Sequence, residues 1–318
     1  MDYGFRVPIR GALTAPEPLS TLTRHAEALG FAFISSPDHV VMPAATGSEY
    51  PYGGTPAFQV KTNEGEFLEA LTVLSFLAGQ THRARLLTSV MVVPYRQPVL
   101  AAKMLSTLDY LSNGRVVVGC GVGWLREEFE ALGAPPYDAR GAAVDEYLQV
   151  FKELWTSRRP SFEGRFVRFP PLVFEPRPIQ KPHPPLWIGG ESLTALRRVV
   201  RLGDGWYPSG GSGAVDTPEG FAARVTILRG LLEEAERDPA SVTIGLGTGH
   251  FNQGRVEIGA DGSRFSLTGS TEQVAEDIRA YEAAGLRHLL IRFPGETQSE
   301  LANNMERFMK EVAPLVGR

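Results

Sequence analysis

The residues LDYLSNGRVVVGCG, 108–121, show the helix–glycine–strand unit that recurs along this chain. Its helical part stops just before Gly114, because glycine adopts the left-handed turn that ends a helix, and the β-branched run after it predicts a buried strand. Gly30, Gly203 and Gly285 precede other strand candidates in the same way. The eight strand candidates, each followed by a helical segment, are Tyr3 to Ile9, Phe31 to Ser36, Leu86 to Val93, Arg115 to Cys120, Leu186 to Gly190, Gly205 to Tyr207, Val242 to Gly247 and His288 to Phe293.

This regular alternation predicts an α/β protein. No linker and no change of composition divides the 318 residues into halves. The pattern favours a closed (β/α)₈ barrel, the TIM-barrel fold, over an open doubly wound sheet. We therefore expect a single domain that covers residues 1–318.

Local signals also mark the starts of helices. Ser270 with Gln273 and Thr297 with Glu300 have the spacing of capping boxes. Thr217 stands directly before a proline, which is typical of a capping residue followed by the first helical position. These three positions are predicted helix N-termini.

Four segments exceed what a minimal barrel needs: residues 43–63, 161–185, 209–216 and 251–268. Three of them follow the C-terminal ends of the second, sixth and seventh strands, the face where barrels place their chemistry. We expect these inserted loops to act as lids over a site at that face.

Composition restricts the partners. Lys and Arg number 32 against 36 Asp and Glu, a net charge of −4, and no basic run stands out. A nucleic acid or an anionic membrane would need a concentrated basic surface, so we expect a small-molecule partner instead. No apolar stretch approaches the roughly 18 residues that span a bilayer, and no export signal is visible at the start. The only cysteine, Cys120, excludes internal disulfides and indicates a cytoplasmic protein.

A helix near residues 67–77 is apolar on more than one face, whereas a helix on the outside of a barrel buries only one. Its apolar residues are Phe67, Leu68, Ala70, Leu71, Val73, Leu74, Phe76 and Leu77. Either a long loop or a second copy of the chain covers the extra face. Because symmetric dimers are common, we expect a homodimer.

Several familiar enzyme motifs are absent from the sequence. It contains no GxxxxGK[ST], HExxH or GxSxG, and the glycines before Trp124 miss the dinucleotide fingerprint by one position. No His-x-His pair occurs among the six histidines. A single-metal site from Asp38, His39 and His250, which would indicate a metal-dependent barrel hydrolase, stays open as an alternative.

The end of the second strand carries Asp38 and His39, at the predicted catalytic rim. Histidine exchanges protons near neutral pH, so this pair is a candidate for acid–base chemistry. The plainer interpretation is a turn aspartate that accepts backbone hydrogen bonds beside a packed histidine.

Three further strand ends are informative. Ser89, with Thr88, is polar within a buried strand, so it either bonds to backbone or faces a ligand. The glycines at 119, 121 and 123 expose flat backbone to a broad ligand, or they serve a tight barrel corner. Gly189 and Gly190 lead into a helix near Ser192, an arrangement that either holds a phosphate or is an ordinary capped turn.

Five segments together resemble the luciferase-like family of flavin and deazaflavin oxidoreductases. They are SVMVVPYRQPVLAAKMLSTLDYLSNGRVVVGCGVGWLREEFEALG (89–133), DEYLQVFKELW (145–155), FEGRFVRF (162–169), PPLWIGG (184–190) and GDGWYP (203–208). LDYLSNGR followed by the glycine-rich strand and EEFEALG resembles the branch that uses coenzyme F420, a deazaflavin.

The resemblance implies a barrel with the deazaflavin across its mouth and its phosphate at Gly189, Gly190 and Ser192, with Glu191 beside it. It also implies a cis peptide between Ser89 and Val90 against the middle of the ring, near the backbone of Gly121 and Gly123. Asp38 and His39 match the pair at the reactive face, where His39 would exchange a proton with the substrate while a hydride moves.

Two departures from the family pattern affect the choice of cofactor and substrate. Trp124 stands where the sugar-phosphate dehydrogenases of the family have an acidic residue, so their substrate does not carry over. Val122 stands where flavin monooxygenases have an arginine, which favours F420 over FMN. Arg140 is expected to pair with Glu146 rather than with a phosphate. An FMN-dependent monooxygenase and a non-enzymatic cofactor-binding protein are the remaining alternatives.

Overall fold

The polypeptide closes into a parallel barrel in a computed structural model that describes residues 1–43, 68–211 and 213–317. The strands are β1 (Asp2–Arg6), β2 (Phe33–Ser36), β3 (Arg85–Thr88), β4 (Met91–Val92), β5 (Val116–Gly121), β6 (Phe162–Glu163), β7 (Arg168–Phe169), β8 (Leu186–Ile188), β9 (Gly205–Trp206), β10 (Thr243–Gly247), β11 (Asn252–Gln253), β12 (Thr268–Gly269) and β13 (His288–Ile291).

The barrel order is β1, β2, β3, β5, β8, β9, β10 and β13, and β13 pairs with β1 to close the ring. Every one of these pairings is parallel. β4 continues the third barrel strand and pairs with β5, with Met91 opposite Cys120. All eight predicted strands are therefore present, and the predicted (β/α)₈ barrel is confirmed.

Helices follow the barrel strands and cover the outside of the sheet. They are α1 (Pro16–Leu29), α2 (Ala70–Ala78), α3 (Pro98–Leu111), α4 (Arg126–Ala131), α5 (Arg140–Thr156), α6 (Leu193–Leu202), α7 (Pro218–Glu234), α8 (Thr271–Ala284), α9 (Gln298–Arg307) and α10 (Ala313–Val316), with a π-helical turn over Phe308–Val312. None of the helices within the described ranges has the length and apolar character needed to cross a membrane.

Two layers of apolar side chains hold the barrel together. The larger one lies between the strands and the surrounding helices. The smaller one takes one residue from, or directly after, each of six barrel strands, and it makes the barrel interior a packed core rather than a channel. Its buried members are Phe33, Leu87, Val117, Trp187, Tyr207 and Leu290.

Most of the predicted helix signals are confirmed. Gly30 and Gly285 end α1 and α8 in the left-handed conformation, and the capping boxes of Ser270 and Thr297 are both formed. Gly203 ends α6 as predicted, but the predicted left-handed conformation is wrong, because its φ is −90°. A side chain there would put Cβ 2.7 Å from Ile188 Cγ1, so close packing requires this glycine.

The apolar helix, α2, buries most of its apolar side chains within the chain itself. Leu71, Val73, Leu74 and Leu77 are buried, whereas Phe76 is 42% exposed. Phe67 and most of the predicted loop 43–63 lie outside the described residues. Of the other predicted loops, 161–185 carries the β6–β7 hairpin and 251–268 leads from β11 to β12.

Candidate active site

The carboxylate of Asp38, just after β2, is held by an arginine. Arg96 donates from Nη1 to Oδ2 and from Nη2 to Oδ1, both at 2.8 Å, and Val92 N–H donates to Oδ2 at 2.9 Å. Arg96 also pairs with Glu69, which caps α2. Burial alone would lower the pKa of Arg96, but the two carboxylates raise it overall. Asp38 therefore anchors the turn after β2 to the segment after β4.

The neighbouring residue, His39, is bound to a buried glutamate that is distant in sequence. His39 Nδ1 lies 2.7 Å from Glu128 Oε2, and the Tyr95 hydroxyl donates to the same oxygen at 2.8 Å. The other oxygen, Oε1, accepts from the N–H groups of Val40 at 2.6 Å and Val41 at 3.1 Å. The Glu128 side chain is fully buried, while that of His39 is 13% exposed.

These contacts determine the charge of Glu128. Burial would raise the pKa of its carboxyl, but the hydrogen bonds and charge of His39, with those from Val40 and Tyr95, bring it below its ordinary value. Burial, with the adjacent Glu128, raises the pKa of Tyr95. At neutral pH the glutamate is therefore ionised and the phenol is protonated.

Aromatic and cationic groups extend the His39 corner. The Trp124 ring meets the His39 ring edge to face at a centroid distance of 6.2 Å. The backbone carbonyl of Trp124 accepts from the Tyr137 hydroxyl at 2.8 Å. The Arg140 guanidinium lies over the Tyr137 ring and donates to Gly123 O at 3.2 Å. The expected pairing of Arg140 with Glu146 is wrong, since Glu146 accepts backbone N–H groups of residues 165–167 instead.

Between β3 and β4, the peptide between Ser89 and Val90 is cis, as the resemblance implied. Thr88 is satisfied locally, because its hydroxyl donates to Gly119 O at 2.9 Å. Ser89 Oγ lies 2.8 Å from the Tyr207 hydroxyl. Burial raises the pKa of Tyr207 to about 12, so its phenol stays protonated at neutral pH.

Glycines surround the Val90 side chain. A Cβ added at Gly121 would lie 2.7 Å from Val90 Cγ2, and one at Gly119 or Gly189 would lie 3.2 or 3.4 Å from Val90 Cγ1. Gly123 has φ +79°, and its Cβ would collide with Phe129. The glycines on and just after β5 thus allow tight packing at this corner of the barrel. They also leave the Val90 side chain half-exposed.

The end of β8 is built from backbone. Gly190 has φ +88°, its carbonyl accepts from Trp206 Nε1 at 2.8 Å, and Gly189 N–H donates to Cys120 O at 2.9 Å. Ser192 caps α6 by accepting from Ala195 N–H at 3.2 Å. The N–H groups at the first two helical positions keep no partner within the helix. Glu191 Oε2 is buried and accepts no hydrogen bond from any residue of the described ranges.

The residues of the metal-hydrolase alternative have separate partners. Asp38 pairs with Arg96, His39 with Glu128, and His250 stacks on Phe265 at a centroid distance of 3.7 Å. Within residues 1–43, 68–211 and 213–317, no three His, Cys, Asp or Glu side chains cluster to bind a metal. The metal-hydrolase interpretation is not supported.

Sequence reasoning missed Glu128, Tyr95, Arg96 and Tyr207. The signal for Glu128 was present, because it falls in the apolar stripe of α4 between Leu125 and Phe129, where an acidic residue has to be buried. Nothing in the sequence points to its partner, which lies 89 residues away.

Comparison with known proteins covers most of the chain. The model of the luciferase-like monooxygenase family matches residues 3–251. The FMNH₂-dependent dimethylsulfone monooxygenase of Pseudomonas putida is 28% identical over 291 residues, covering 78% of each chain.

Two solved structures share the fold. A monooxygenase from Streptomyces bottropensis superimposes with a TM-score of 0.77 at 22% identity, over 99% of both chains. The coenzyme F420-dependent tetrahydromethanopterin reductase of Methanopyrus kandleri gives a TM-score of 0.74 at 17% identity, over 98% of both chains.

Proposed function

This chain belongs to the luciferase-like monooxygenase family, and on that premise we propose that it is an oxidoreductase that uses coenzyme F420 to move a hydride to or from a small organic substrate. The observation that carries the proposal is the His39–Glu128 pair at the end of β2. It supplies an imidazole whose Nδ1 is bound to a fully buried carboxylate, at the barrel face where such enzymes react.

The chain offers a fitting site for the cofactor at the end of β8. Gly190 and the first turn of α6 present N–H groups at the positive end of a helix, which suits a phosphate. Gly189 donates its N–H to Cys120 O in the sheet, so that N–H is not available to a phosphate. The contribution of Gly189 is the absence of a side chain. The buried Glu191 oxygen needs a donor, which a hydroxyl of the cofactor side chain would provide.

The reacting groups lie along the barrel mouth. When bound, the deazaflavin accepts or donates the hydride. Val90 and the Ser89–Tyr207 pair would support the ring. Gly121 and Gly123 would act indirectly, because the missing side chains let Val90 and Phe129 pack at this corner. His39 holds or releases the substrate proton. Asp38 contacts Arg96 and Val92 N–H, so we assign it to positioning His39 rather than to proton transfer.

An FMN-dependent monooxygenase is the second candidate. It is favoured by the similarity to the dimethylsulfone monooxygenase, whose name specifies reduced FMN. Val122, in place of the arginine that flavin monooxygenases of this family carry, supports F420 instead.

Cofactor titration separates the two candidates. Purified protein is titrated with F420 and with FMN, each oxidised and reduced, and binding is followed by fluorescence quenching. We expect micromolar affinity for F420 and at least tenfold weaker binding of FMN. The opposite order would replace the proposal with the monooxygenase.

A substrate screen tests the reaction. Alcohols, sugar derivatives, aldehydes and unsaturated ketones are offered with the bound cofactor, and its absorbance reports hydride transfer. We expect His39→Ala to bind F420 as tightly as the wild type and to lose turnover. A His39→Ala variant that reacts at the wild-type rate would remove His39 from the mechanism.

We also propose a cytoplasmic homodimer that binds no nucleic acid or membrane. The exposed apolar side chains Phe76 on α2 and Leu100 and Leu111 on the adjacent α3 support a second copy there. Light scattering coupled to size-exclusion chromatography should give twice the chain mass.

A further inference from the structure

We infer that Glu128 is a positioning residue that keeps a hydrogen on Nδ1 of His39, so that Nε2 is the atom that exchanges protons with the substrate. The catalytic part of this inference rests on the proposed function. The tautomer itself follows from the hydrogen bonds around the carboxylate.

The Glu128 carboxylate accepts from four directions. Oε1 takes the two backbone N–H groups after His39, and Oε2 takes the Tyr95 hydroxyl and the His39 imidazole. An ionised carboxylate has no proton to give, so each group that bonds to it must be a donor. At 2.7 Å from Oε2, Nδ1 of His39 therefore carries a hydrogen. In the neutral ring, the lone pair then lies on Nε2.

Two different roles are combined in this one side chain. Oε1 anchors the turn that carries His39, through the backbone of Val40 and Val41. Oε2 sets the tautomer. A residue that only anchored the turn would need Oε1 alone, and the second oxygen would not have to face an imidazole.

Replacement of Glu128 by glutamine separates the two roles. The carbonyl oxygen of the amide must face the two backbone N–H groups, because its NH₂ group would otherwise point at two donors. The NH₂ group then faces His39 and Tyr95. An imidazole that meets a donor at Nδ1 has to accept there, so its hydrogen moves to Nε2. Glu128→Gln thus keeps the anchor and reverses the tautomer.

The test is ¹⁵N NMR of protein labelled at histidine, recorded at alkaline pH where the imidazoles are neutral. The His39 signals are assigned by their loss in His39→Ala. We expect a protonated Nδ1 and an unprotonated Nε2 in the wild type, and the reverse in Glu128→Gln. Glu130→Gln, an exposed change two residues further along α4, should leave the wild-type pattern.

The wild-type spectrum alone is decisive if Glu128→Gln fails to fold. An Nε2-protonated His39 in the wild type would overturn the inference, and so would an unchanged tautomer in a folded Glu128→Gln. These readouts need neither cofactor nor substrate, so a failure of the F420 proposal leaves them intact.

Turnover then tests the consequence. With a substrate from the screen, Glu128→Gln should retain F420 affinity within about twofold, because the carboxylate bonds to His39, Val40, Val41 and Tyr95 rather than to the residues proposed to hold the phosphate. Its kcat should fall by about 10²–10⁴-fold, the range for loss of a positioned acid–base group. A reversed tautomer with an unchanged kcat would show that Nε2 is not the exchanging atom and would overturn the catalytic part.

Discussion

Two corners of the barrel mouth are built in opposite ways. The corner after β2 is assembled from side chains far apart in sequence: Arg96 reaches Asp38 across 58 positions and Glu128 reaches His39 across 89. The corner after β8 consists of consecutive residues, in which backbone conformation does most of the positioning. The first corner therefore depends on charge partners and the second on φ angles and on capping, so they should fail under different substitutions.

The largest effect should come from breaking the charge pair of the first corner. Arg96→Met leaves the fully buried Asp38 carboxylate without its partner, and removing one member of a buried pair costs about 3–5 kcal/mol. We expect the free energy of unfolding, measured by urea denaturation at pH 7, to fall by about that amount.

A matched arginine makes this comparison specific. Arg168 pairs with Glu163 on the β6–β7 hairpin, and both side chains are more than 70% exposed. Arg168→Met should change stability by less than about 0.5 kcal/mol. Equal losses in the two variants would mean that burial does not distinguish the pairs.

Adding a methyl group at Gly190 should disturb the corner after β8. Gly190 has φ +88°, a conformation that costs a residue with a side chain about 1–2 kcal/mol, and an added Cβ would lie 3.3 Å from Ala195 Cβ. We expect Gly190→Ala to lose that much stability and to weaken F420 binding as the turn shifts. Gly230→Ala is the control, because it lies inside α7 with open space around it and should be neutral or stabilising. Wild-type F420 affinity in Gly190→Ala would remove this turn from the proposed site.

The contrast also explains what the sequence could predict. Features that depend on neighbouring residues could be predicted from the sequence. The strands, the capping boxes at Ser270 and Thr297, and the capped turn at Ser192 all depend on residues within a few positions. The family resemblance implied the cis peptide at Ser89–Val90, and the place of Asp38 and His39 at the end of the second strand singled out that pair. The barrel followed from the repeat of the unit rather than from any contact.

Contacts between elements that are distant in sequence could not be predicted. Asp38 was assigned to chemistry, because nothing in its surroundings shows that Arg96 would neutralise it. Gly203 was predicted to be left-handed at the end of its helix; it does end α6, but its φ is −90°, and the approach of Ile188 from β8 is what requires a glycine. In both cases the deciding partner is brought close only by the closed barrel.

A smaller effect is expected at the hydroxyl of the second corner. Ser192→Ala removes the N-cap of α6, which should cost about 1 kcal/mol of stability. Ser270→Ala removes the N-cap of α8 and should cost a similar amount. Only Ser192→Ala should also weaken F420 binding, by roughly 1 kcal/mol, the scale of one hydrogen bond. Equal F420 affinities in the two variants would mean that Ser192 caps α6 and does not bind the cofactor.

The stability of the corner after β2 should depend on pH through Glu128. Because its partners keep the pKa of Glu128 below the ordinary value, the ionised carboxylate stabilises the folded chain. This contribution is complete above the carboxyl pKa of the unfolded chain, about 4.3, and is lost as the pH falls through the lower folded value. Glu128→Gln lacks this titration, so its stability deficit against the wild type should shrink as the pH falls below that range. Urea unfolding at a series of pH values from 7 downward measures the difference, and a deficit that stays constant to the acid limit would mean that the charge of Glu128 does not stabilise this corner.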